Sequence, residues 1–329
     1  MEIEEQIRKL KAMINSYKLT YLIISANEIG IWECLSRQSK KLSQIAKEAG
    51  IEECRLAPIL NALTSHKIIS KDKNGYYLDE YDKVLNKNSE YNQLGYIHFA
   101  QTMMRKYQNL ANAVKDKKFA INHFQELTEK GAESFMKGME ANAIPQAEFI
   151  ANNYDFENHS ILDVGAGAGT YLITMAKKDK TVTGKMIDLP EIVKIQNKKI
   201  EKEELRLQIT AEECNYNEKF PTEKYDDVFL FAVVHQESKE NVNQLLKNIY
   251  HVLKPEGRIF LTSFFLNEDK ISPEFSVQFA VEMLMNSNNG RVYTHSEIQD
   301  LMVQNKFKEI RRIDDIPSSA TLYVAKKLI

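Results

Sequence analysis

The feature that most constrains this chain is an alternation of apolar strands and helices that begins near residue 160. The predicted strands are Ser160–Val164, Val182–Ile187, Leu205–Thr210, Asp227–Val234 and Arg258–Phe264. The predicted helices between them are Thr170–Lys178, Leu189–Lys199 and Asn241–Leu253, the last followed by a turn at Lys254–Gly257. A further helix at Ser296–Gln304 and an antiparallel pair, Ile310–Ile313 with Thr321–Ala325, complete the pattern. Continuous apolar strands are buried on both faces, so an α/β fold with a parallel sheet is predicted.

The first 100 residues follow a different pattern. Apolar residues at helical spacing predict a helix over residues 3–26. The elements predicted after it are helices Leu42–Ala49 and Cys54–His66 and short β runs Ile68–Ile69 and Tyr76–Leu78 around an Asn74–Gly75 turn. Two helices and a hairpin in this order are typical of a winged helix. The organisation we predict is a mostly helical winged-helix domain (1–100), a helical connector with substrate-pocket helices (101–155) and the α/β domain (156–329).

Charge and composition exclude several classes of protein. The 44 Lys+Arg residues against 46 Asp+Glu give a net charge of -2, and the second winged-helix helix opens with Glu52–Glu53, which disfavours a DNA-binding regulator. The three cysteines show no CxxC spacing, so reduced thiols are expected and no metal site. No signal peptide or membrane-spanning run is visible, so we expect a cytoplasmic protein that binds neither nucleic acid nor membrane. Apolar residues in excess of a 100-residue core predict a homodimer.

A glycine-rich loop lies between the first α/β strand and its helix. Gly165 and Gly167 allow close approach of the backbone to a ligand, beside the N–H groups of a helix N-terminus. Asp163 ends the strand ahead of them, and its carboxylate suits a cationic amine but clashes with a pyrophosphate. Asp188 ends the next strand, where a carboxylate accepts hydrogen bonds from ribose hydroxyls. Asp163 and the GxGxG spacing of the loop disfavour a nicotinamide-dependent oxidoreductase.

Four segments, Leu162–Gly169, Asp188–Val193, Asp227–His235 and Leu253–Arg258, carry a family resemblance. In this order, behind a winged helix, they resemble class I S-adenosylmethionine-dependent methyltransferases. More narrowly, they are similar to the O-methyltransferase family of plant caffeic-acid-type enzymes and bacterial antibiotic and pigment methyltransferases. The resemblance implies a Rossmann-like domain with S-adenosylmethionine as cofactor. The cofactor-binding residues it then implies are Asp163, Gly165, Gly167, Asp188, Leu189, Glu213, Cys214 and Asn215.

The adenine-binding segment departs from the family pattern. The family's Gly-Asp-Phe is replaced by Glu213-Cys214-Asn215-Tyr216. When the family pattern is aligned from the residues before the segment, its acidic position falls at Glu213. When it is aligned from the residues after the segment, that position falls at Asn215. Either side chain offers an oxygen to the adenine amino group, so both stay open. Phe231 stands where the family has a lysine that contacts the cofactor.

The resemblance also assigns catalytic residues. His235 follows an apolar strand at its carboxyl end, where open α/β sheets bind ligands, and aligns with the family's general base. The family's orienting glutamate is missing from Arg291–Thr294. Glu282 and Glu297 are candidate replacements, and Glu297 matches another acidic position of the family, although it could equally be a helix N-terminal residue that interacts with the helix dipole. Without an acidic partner, N-, S- or C-methylation by positioning alone is the alternative to O-methylation.

The acceptor pocket is expected to be apolar. Phe135–Met139 resembles the family's Phe-Asn-x-Gly-Met pocket helix, Asn142 lies one turn later, and Met283 matches a methionine that sandwiches flat substrates. Phe135 and Met283 could equally be core residues. The sequence therefore predicts a homodimeric, small-molecule O-methyltransferase of secondary metabolism that acts on an aromatic or heteroaromatic hydroxyl.

Overall fold

The computed structural model describes residues 2–115, 129–287 and 289–328. These residues fall into two units. Residues up to 105 and from 129 to 141 belong to the first, and residues 106–115 and those from 142 onward belong to the second. The three-segment division made from the sequence stays a prediction.

The N-terminal elements, in chain order, are α1 (Ile3–Asn15), α2 (Tyr17–Glu28), α3 (Ile31–Cys34), α4 (Leu42–Ala49), α5 (Glu53–Ser65), β1 (Ser70–Asp72), β2 (Gly75–Tyr77), α6 (Asp82–Leu85) and α7 (Leu94–Tyr107). The helix predicted over 3–26 is two helices, because the Ser16 hydroxyl donates to Met13 O (2.8 Å) and competes with the helical ladder. The first strand of the hairpin lies slightly later in the chain than predicted. The reason is the turn, where Asp72 Oδ1 accepts from the N–H groups of Asn74 and Gly75. Helices α4 and α5 with this hairpin are consistent with a winged helix.

The remaining helices are α8 (Leu110–Lys115), α9 (Glu129–Asn153), α10 (Thr170–Lys178), α11 (Pro190–Lys202), α12 (Lys239–Val252), α13 (Glu274–Asn286) and α14 (His295–Gln304). The strands are β3 (Ser160–Val164), β4 (Thr183–Asp188), β5 (Ile209–Glu213), β6 (Tyr225–Phe231), β7 (Leu253–Ser263), β8 (Lys308–Ile313) and β9 (Thr321–Lys326). Within the described residues they form a seven-stranded sheet of order β5-β4-β3-β6-β7-β9-β8. Strands β3 to β7 pair in parallel, and β9 is antiparallel to β7 and β8.

The sheet of the second unit has a core on each face. Leu162, Val164 and Leu230 pack in one cluster, and Ile161 and Phe229 pack in the other, because successive side chains of a strand point to opposite faces. All five side chains are fully buried. The predicted fold class, an α/β domain with a parallel sheet and an antiparallel closing pair, is confirmed.

Three sequence predictions within this sheet are wrong. Leu205 does not begin a strand, because its N–H bonds Ile200 O (2.9 Å) and closes α11. The predicted Lys254–Gly257 turn lies inside β7, where Leu253 pairs with Tyr225 of β6. Strand β6 ends at Phe231 rather than Val234, since Ala232 adopts a left-handed conformation (φ 56°). This last difference decides where the candidate base lies.

Candidate active site

The glycine-rich loop joins β3 to α10 and is held in one conformation. Gly165 and Gly169 have φ values of 64° and 74°, and a Cβ on Gly169 would lie 2.4 Å from Met186 Sδ. On its other side, Gln196 Nε2 donates to Gly167 O (2.9 Å) and Lys199 Nζ to Ala168 O (3.0 Å). Helix α11 thus holds two carbonyls of the loop.

Asp163 is buried at the carboxyl end of β3 with only 1 % of its surface exposed. Its Oδ2 has no hydrogen-bond partner among the described residues, and burial together with the charge of Asp188 raises its pKa to about 8. A buried carboxyl oxygen without a donor is costly for the protein alone. A cationic ligand beside it would supply the missing partner, so this observation fits the positively charged S-adenosylmethionine.

Asp188 lies at the carboxyl end of the neighbouring strand, β4. Its Oδ2 accepts from Gly167 N and its Oδ1 from Leu189 N, both at 2.8 Å. Burial raises the pKa of this carboxyl group, and the two N–H groups oppose that shift. The carboxylate thereby ties the glycine loop to β4 and is only half-buried, which leaves it available to ribose hydroxyls.

The two adenine candidates lie at the end of β5 and directly after it. The Asn215 amide donates to Glu218 Oε1 (2.7 Å) and its carbonyl oxygen accepts from Asn217 N (3.2 Å), so this side chain is used within its own turn. Cys214 N donates to Asp188 O at 2.8 Å. Glu213, paired in register with Asp188, is exposed, and its side chain makes no hydrogen bond within the described chain. Which of the two residues contacts adenine stays a prediction.

His235 lies in a short 3-10 turn, Val234–Gln236, directly beyond β6. It is buried, with 6 % of its surface exposed, and its Nδ1 lies 3.1 Å from Ser263 Oγ at the end of β7. The Phe279 ring meets the imidazole edge to face at 4.8 Å. Burial lowers the pKa of His235 to about 4. The imidazole is therefore neutral at physiological pH, as a general base must be.

Glu297, the residue expected to orient His235, has a different role in the structure. It is the third residue of α14, where its Oε2 accepts from Thr294 N (2.9 Å) and its Oε1 from Arg291 Nη2 (2.7 Å). Thr294 Oγ1 in turn accepts from Glu297 N, which completes a capping box. Glu297 thus lies in the first turn of a helix, as its alternative interpretation has it, and its carboxylate also completes the cap. His235 Nδ1 meets Ser263 instead.

Glu282, the other candidate partner, lies on α13 one turn beyond Phe279. Within the described residues it forms no hydrogen bond or ion pair, and burial raises its pKa. Neither acidic candidate therefore bonds the His235 ring.

Two residues near His235 were missed by the sequence analysis. One is Ser263, which no local pattern distinguishes. The other is Glu237, whose buried carboxylate accepts hydrogen bonds from Tyr216 Oη (3.0 Å), Asn217 Nδ2 (2.8 Å) and Asn241 Nδ2 (2.6 Å). The acidic residue two positions after the candidate base, in His235-Gln236-Glu237, is the signal that could have found Glu237.

The expected acceptor residues are spread over both units. Met283 is buried on α13 beside Leu266 and Val292, and Phe279 packs against this cluster. Met139 belongs to the first unit and Asn142 to the second. The side chain of Phe135 lies outside the described residues. Substrate contact by these four residues stays a prediction.

Two features are absent from the described residues. None of their helices is long and apolar enough to cross a membrane. They also include no group of three or more His, Cys, Asp or Glu side chains that could hold a metal ion.

Comparison with known proteins identifies a matching family and several relatives. The profile of the O-methyltransferase domain family matches residues 102–308. The methyltransferase PigF of Serratia sp. is 29% identical over 210 residues, which cover 63% of this chain and 57% of PigF. The 3-hydroxy-5-methyl-1-naphthoate 3-O-methyltransferase of Streptomyces sahachiroi is 25% identical, over 55% of this chain and 52% of the relative. The chain thus aligns with little more than half the length of these two relatives.

A solved structure extends the similarity to the whole chain. Human N-acetylserotonin methyltransferase in complex with SAM superposes with a TM-score of 0.86 and 20% sequence identity, over 100% of both chains. At this identity the match shows the fold alone, and it confirms the predicted fold class. Because the family profile covers most of the chain, including the glycine loop and His235, the chain belongs to the O-methyltransferase family, as its sequence predicted.

Proposed function

We propose that the protein transfers the methyl group of S-adenosylmethionine to the hydroxyl of a small aromatic or heteroaromatic metabolite, with His235 as general base. One observation carries this proposal. The neutral His235 follows β6, and Asp163 and the glycine loop lie at the carboxyl end of β3, which pairs in parallel with β6. Parallel neighbours bring their carboxyl ends to the same edge of the sheet. Base and cofactor loop therefore share one edge.

The cofactor is held by acids at three successive strand ends. Asp163 faces the cationic methionine part, Asp188 accepts from the ribose hydroxyls, and Glu213 accepts from the adenine amino group. Gly165 and Gly167 carry no side chain, so the ligand has space against the backbone of the glycine loop. The exposed Leu189, directly after Asp188, is a further residue of the cofactor site. When bound, S-adenosylmethionine supplies a methyl group on a positively charged sulfur. The sulfur is a good leaving group.

The protein has two tasks in this reaction: to orient the acceptor and to take one proton. His235 Nδ1 is engaged by Ser263, and Nε2 makes no hydrogen bond within the described chain, so Nε2 is the atom available to an acceptor hydroxyl. An ordinary phenol has a pKa near ~10, so a base is needed at neutral pH.

Aromatic side chains around His235 favour a flat acceptor. The rings of Phe264 and Phe279 lie 4.7 Å apart, and the Phe264 and Phe275 rings are equally close. Met283 packs in the cluster that Phe279 contacts. Apolar walls with few polar groups suit planar aromatic ligands. The family of these relatives favours O-methylation over N-, S- or C-methylation as the reaction. It also favours an enzyme over a DNA-binding regulator.

A direct test combines turnover with cofactor binding. The purified protein is incubated with S-adenosylmethionine and a panel of phenols, heteroaromatic hydroxyls and amines, and products are identified by mass spectrometry. We expect O-methylated products from flat hydroxylated rings only. Methylated amines with no O-methylated product would contradict the proposed reaction, while calorimetry on the same sample would still report whether the cofactor binds.

We further propose that the protein is a cytoplasmic homodimer. Its three cysteines are unpaired thiols, which is the usual state in the cytoplasm. Helix α1 has no buried residue, and its exposed Ile7 and Leu10 lie on one face. That face is apolar over three turns, which a second copy of the chain would cover.

Light scattering tests the dimer. We expect twice the chain mass of 38.0 kDa at micromolar concentration. Leu10→Glu places a charge on the apolar face and should shift the protein towards monomer, whereas Ala12→Glu introduces the same residue on the opposite face and should not. A wild-type mass of one chain would refute this assembly.

A further inference from the structure

The partner of the candidate base is a hydroxyl group rather than a carboxylate. His235 Nδ1 lies 3.1 Å from Ser263 Oγ, and the two residues expose only 6 % and 2 % of their surfaces. A neutral His235 that accepts a proton at Nε2 must carry its own proton on Nδ1, which donates to Ser263 Oγ. Ser263 thereby fixes the ring and its tautomer without adding negative charge.

Two aromatic rings of the described residues also lie beside the imidazole. The Phe279 ring lies against it at 4.8 Å and the Phe264 ring stacks at 6.3 Å. Among the described residues, a cation formed on His235 would meet these rings and one hydroxyl. Such an environment disfavours the imidazolium.

The charged groups on neighbouring elements do not bond the ring. Glu237, on the same turn, accepts from Tyr216, Asn217 and Asn241. Arg291, whose N–H bonds His235 O, pairs with Glu297. On α13, Glu282 forms no hydrogen bond or ion pair within the described residues. Burial lowers the pKa of His235, and no charged group of the described residues opposes this shift.

From this geometry we propose that the site selects acceptors whose hydroxyl is unusually acidic for a phenol, because Ser263 stands where a carboxylate would strengthen the base. Such hydroxyls are conjugated with a carbonyl group or belong to an electron-poor heteroaromatic ring. This inference rests on the proposed O-methylation. Ser263 is a positioning residue, and it acts on the acceptor through His235.

The proton transfer explains the selectivity. The acceptor O–H bond breaks, its proton bonds to His235 Nε2, and the electron pair stays on the oxygen that bonds the methyl carbon. The sulfur keeps the electrons of the broken S–CH3 bond, and Nε2 later releases its proton to water. Each unit by which the hydroxyl pKa exceeds that of the base disfavours the transfer by about tenfold. A weak base therefore serves only an acidic hydroxyl.

The experiment is a series of ring-substituted phenols of similar size. Their hydroxyl pKa values should span about three units below that of tyrosine, ~10, and the assay pH should lie below the lowest of them. We expect kcat/KM to fall several-fold for each unit of rising pKa. A flat or rising series in the wild-type protein overturns the inference. If no phenol or heteroaromatic hydroxyl is methylated although calorimetry shows cofactor binding, the proposed function fails as well.

Variants at Ser263 give an independent readout. Ser263→Asp places a carboxylate at Nδ1, so it should flatten the series and extend turnover to less acidic phenols. Ser263→Ala removes the hydrogen bond and should lower kcat about 2- to 10-fold, as expected for one neutral hydrogen bond, with cofactor affinity unchanged. If folded Ser263→Asp keeps the wild-type slope, the inference is also overturned.

A double variant separates positioning from structure. If Ser263 acts through His235, Ser263→Ala should cost nothing further in a His235→Ala background, whereas a packing defect would persist there. Ser276→Ala is the matched control, because Ser276 is a fully buried serine on α13 whose hydroxyl has no hydrogen-bond partner among the described residues. It should leave the acceptor series unchanged. Additive losses in the double variant would contradict the positioning role.

Discussion

The two halves of the candidate site are built in different ways. On the cofactor side, Asp188 accepts from the backbone N–H groups of Gly167 and Leu189, and the glycine loop follows directly from β3. On the acceptor side, His235 touches side chains that lie far away in sequence, Ser263 and Phe279. The first half depends on backbone geometry that short motifs encode. The second depends on side-chain packing between β6, β7 and α13, which can vary from one relative to another while the fold persists.

The largest effect is expected on the acceptor side. His235→Ala should lower turnover by about 10²–10⁴-fold, the usual contribution of a general base, with cofactor affinity nearly unchanged. Steady-state kinetics and calorimetry measure the two quantities. His251→Ala, on the exposed end of α12, should change neither. A variant that keeps more than about a tenth of the wild-type activity would show that His235 is not the base.

The pH dependence of the same variant sharpens this result. Because burial lowers the pKa of His235 to about 4, its neutral form predominates above that pH, and no histidine titration should limit the rate between pH 6 and 8. In His235→Ala, raising the pH should restore activity as the acceptor itself ionises. Loss of rescue at high pH would indicate positioning without base catalysis.

The contrast between the two halves also explains what the sequence could predict. Strand β3, helix α10 and the roles expected of Asp163 and Asp188 follow from local patterns, and the structure places these residues together at adjacent strand ends. The end of β6 was placed three residues late, because the apolar run continues through Val234 while Ala232 turns the backbone to positive φ. The partner of His235 could not be predicted, since Ser263 lies 28 residues away and forms its contact only when β7 pairs with β6.

On the cofactor side, Asp188→Ala tests the ribose contact. Loss of charged hydrogen bonds should weaken S-adenosylmethionine binding by roughly 1.5–3 kcal/mol, or about 10- to 150-fold. At saturating cofactor, kcat should change far less. Glu191→Ala, an exposed carboxylate in the first turn of α11, is the control and should bind normally. Equal calorimetric affinities for wild type and Asp188→Ala would remove Asp188 from the site.

Asp163 gives the cofactor side a pH dependence that the acceptor side lacks. Its pKa is about 8 in the ligand-free protein, so the carboxyl group is mostly protonated at pH 6 and becomes charged as the pH approaches 8. A cationic cofactor favours the charged form, so affinity should rise over this interval, by no more than about tenfold per pH unit. Asp163→Asn should abolish the rise in calorimetric titrations. A wild-type affinity independent of pH would mean that no cationic group lies beside Asp163.

The same shift makes a stability prediction of opposite sign. A carboxyl group whose pKa is higher in the folded than in the unfolded protein contributes its stabilisation below its unfolded pKa, and that contribution is lost as the pH rises through the folded value. The ligand-free wild-type protein should therefore lose stability between about pH 4 and 8 relative to Asp163→Asn. Thermal unfolding of both proteins across this range measures the difference.

The smallest effect tests whether the two halves act separately. The Glu237 carboxylate bonds Tyr216 and Asn217 of the segment after β5, while its own backbone carbonyl accepts from Tyr293 Oη (2.8 Å). One buried side chain thus connects the adenine segment to the turn that carries His235. Glu237→Gln preserves the shape but replaces an anionic acceptor with a neutral amide, which weakens these bonds by about 1 kcal/mol each.

If Glu237 couples the halves, Glu237→Gln should lower both cofactor affinity and kcat by several-fold. Tyr216→Phe is the matched control, since it removes one of the three side-chain bonds and should produce a smaller change in the same direction. Calorimetry and single-turnover kinetics distinguish the two quantities. A loss of affinity with an unchanged chemical step would show that the turn holds His235 without help from the cofactor side, and that the two halves are independent.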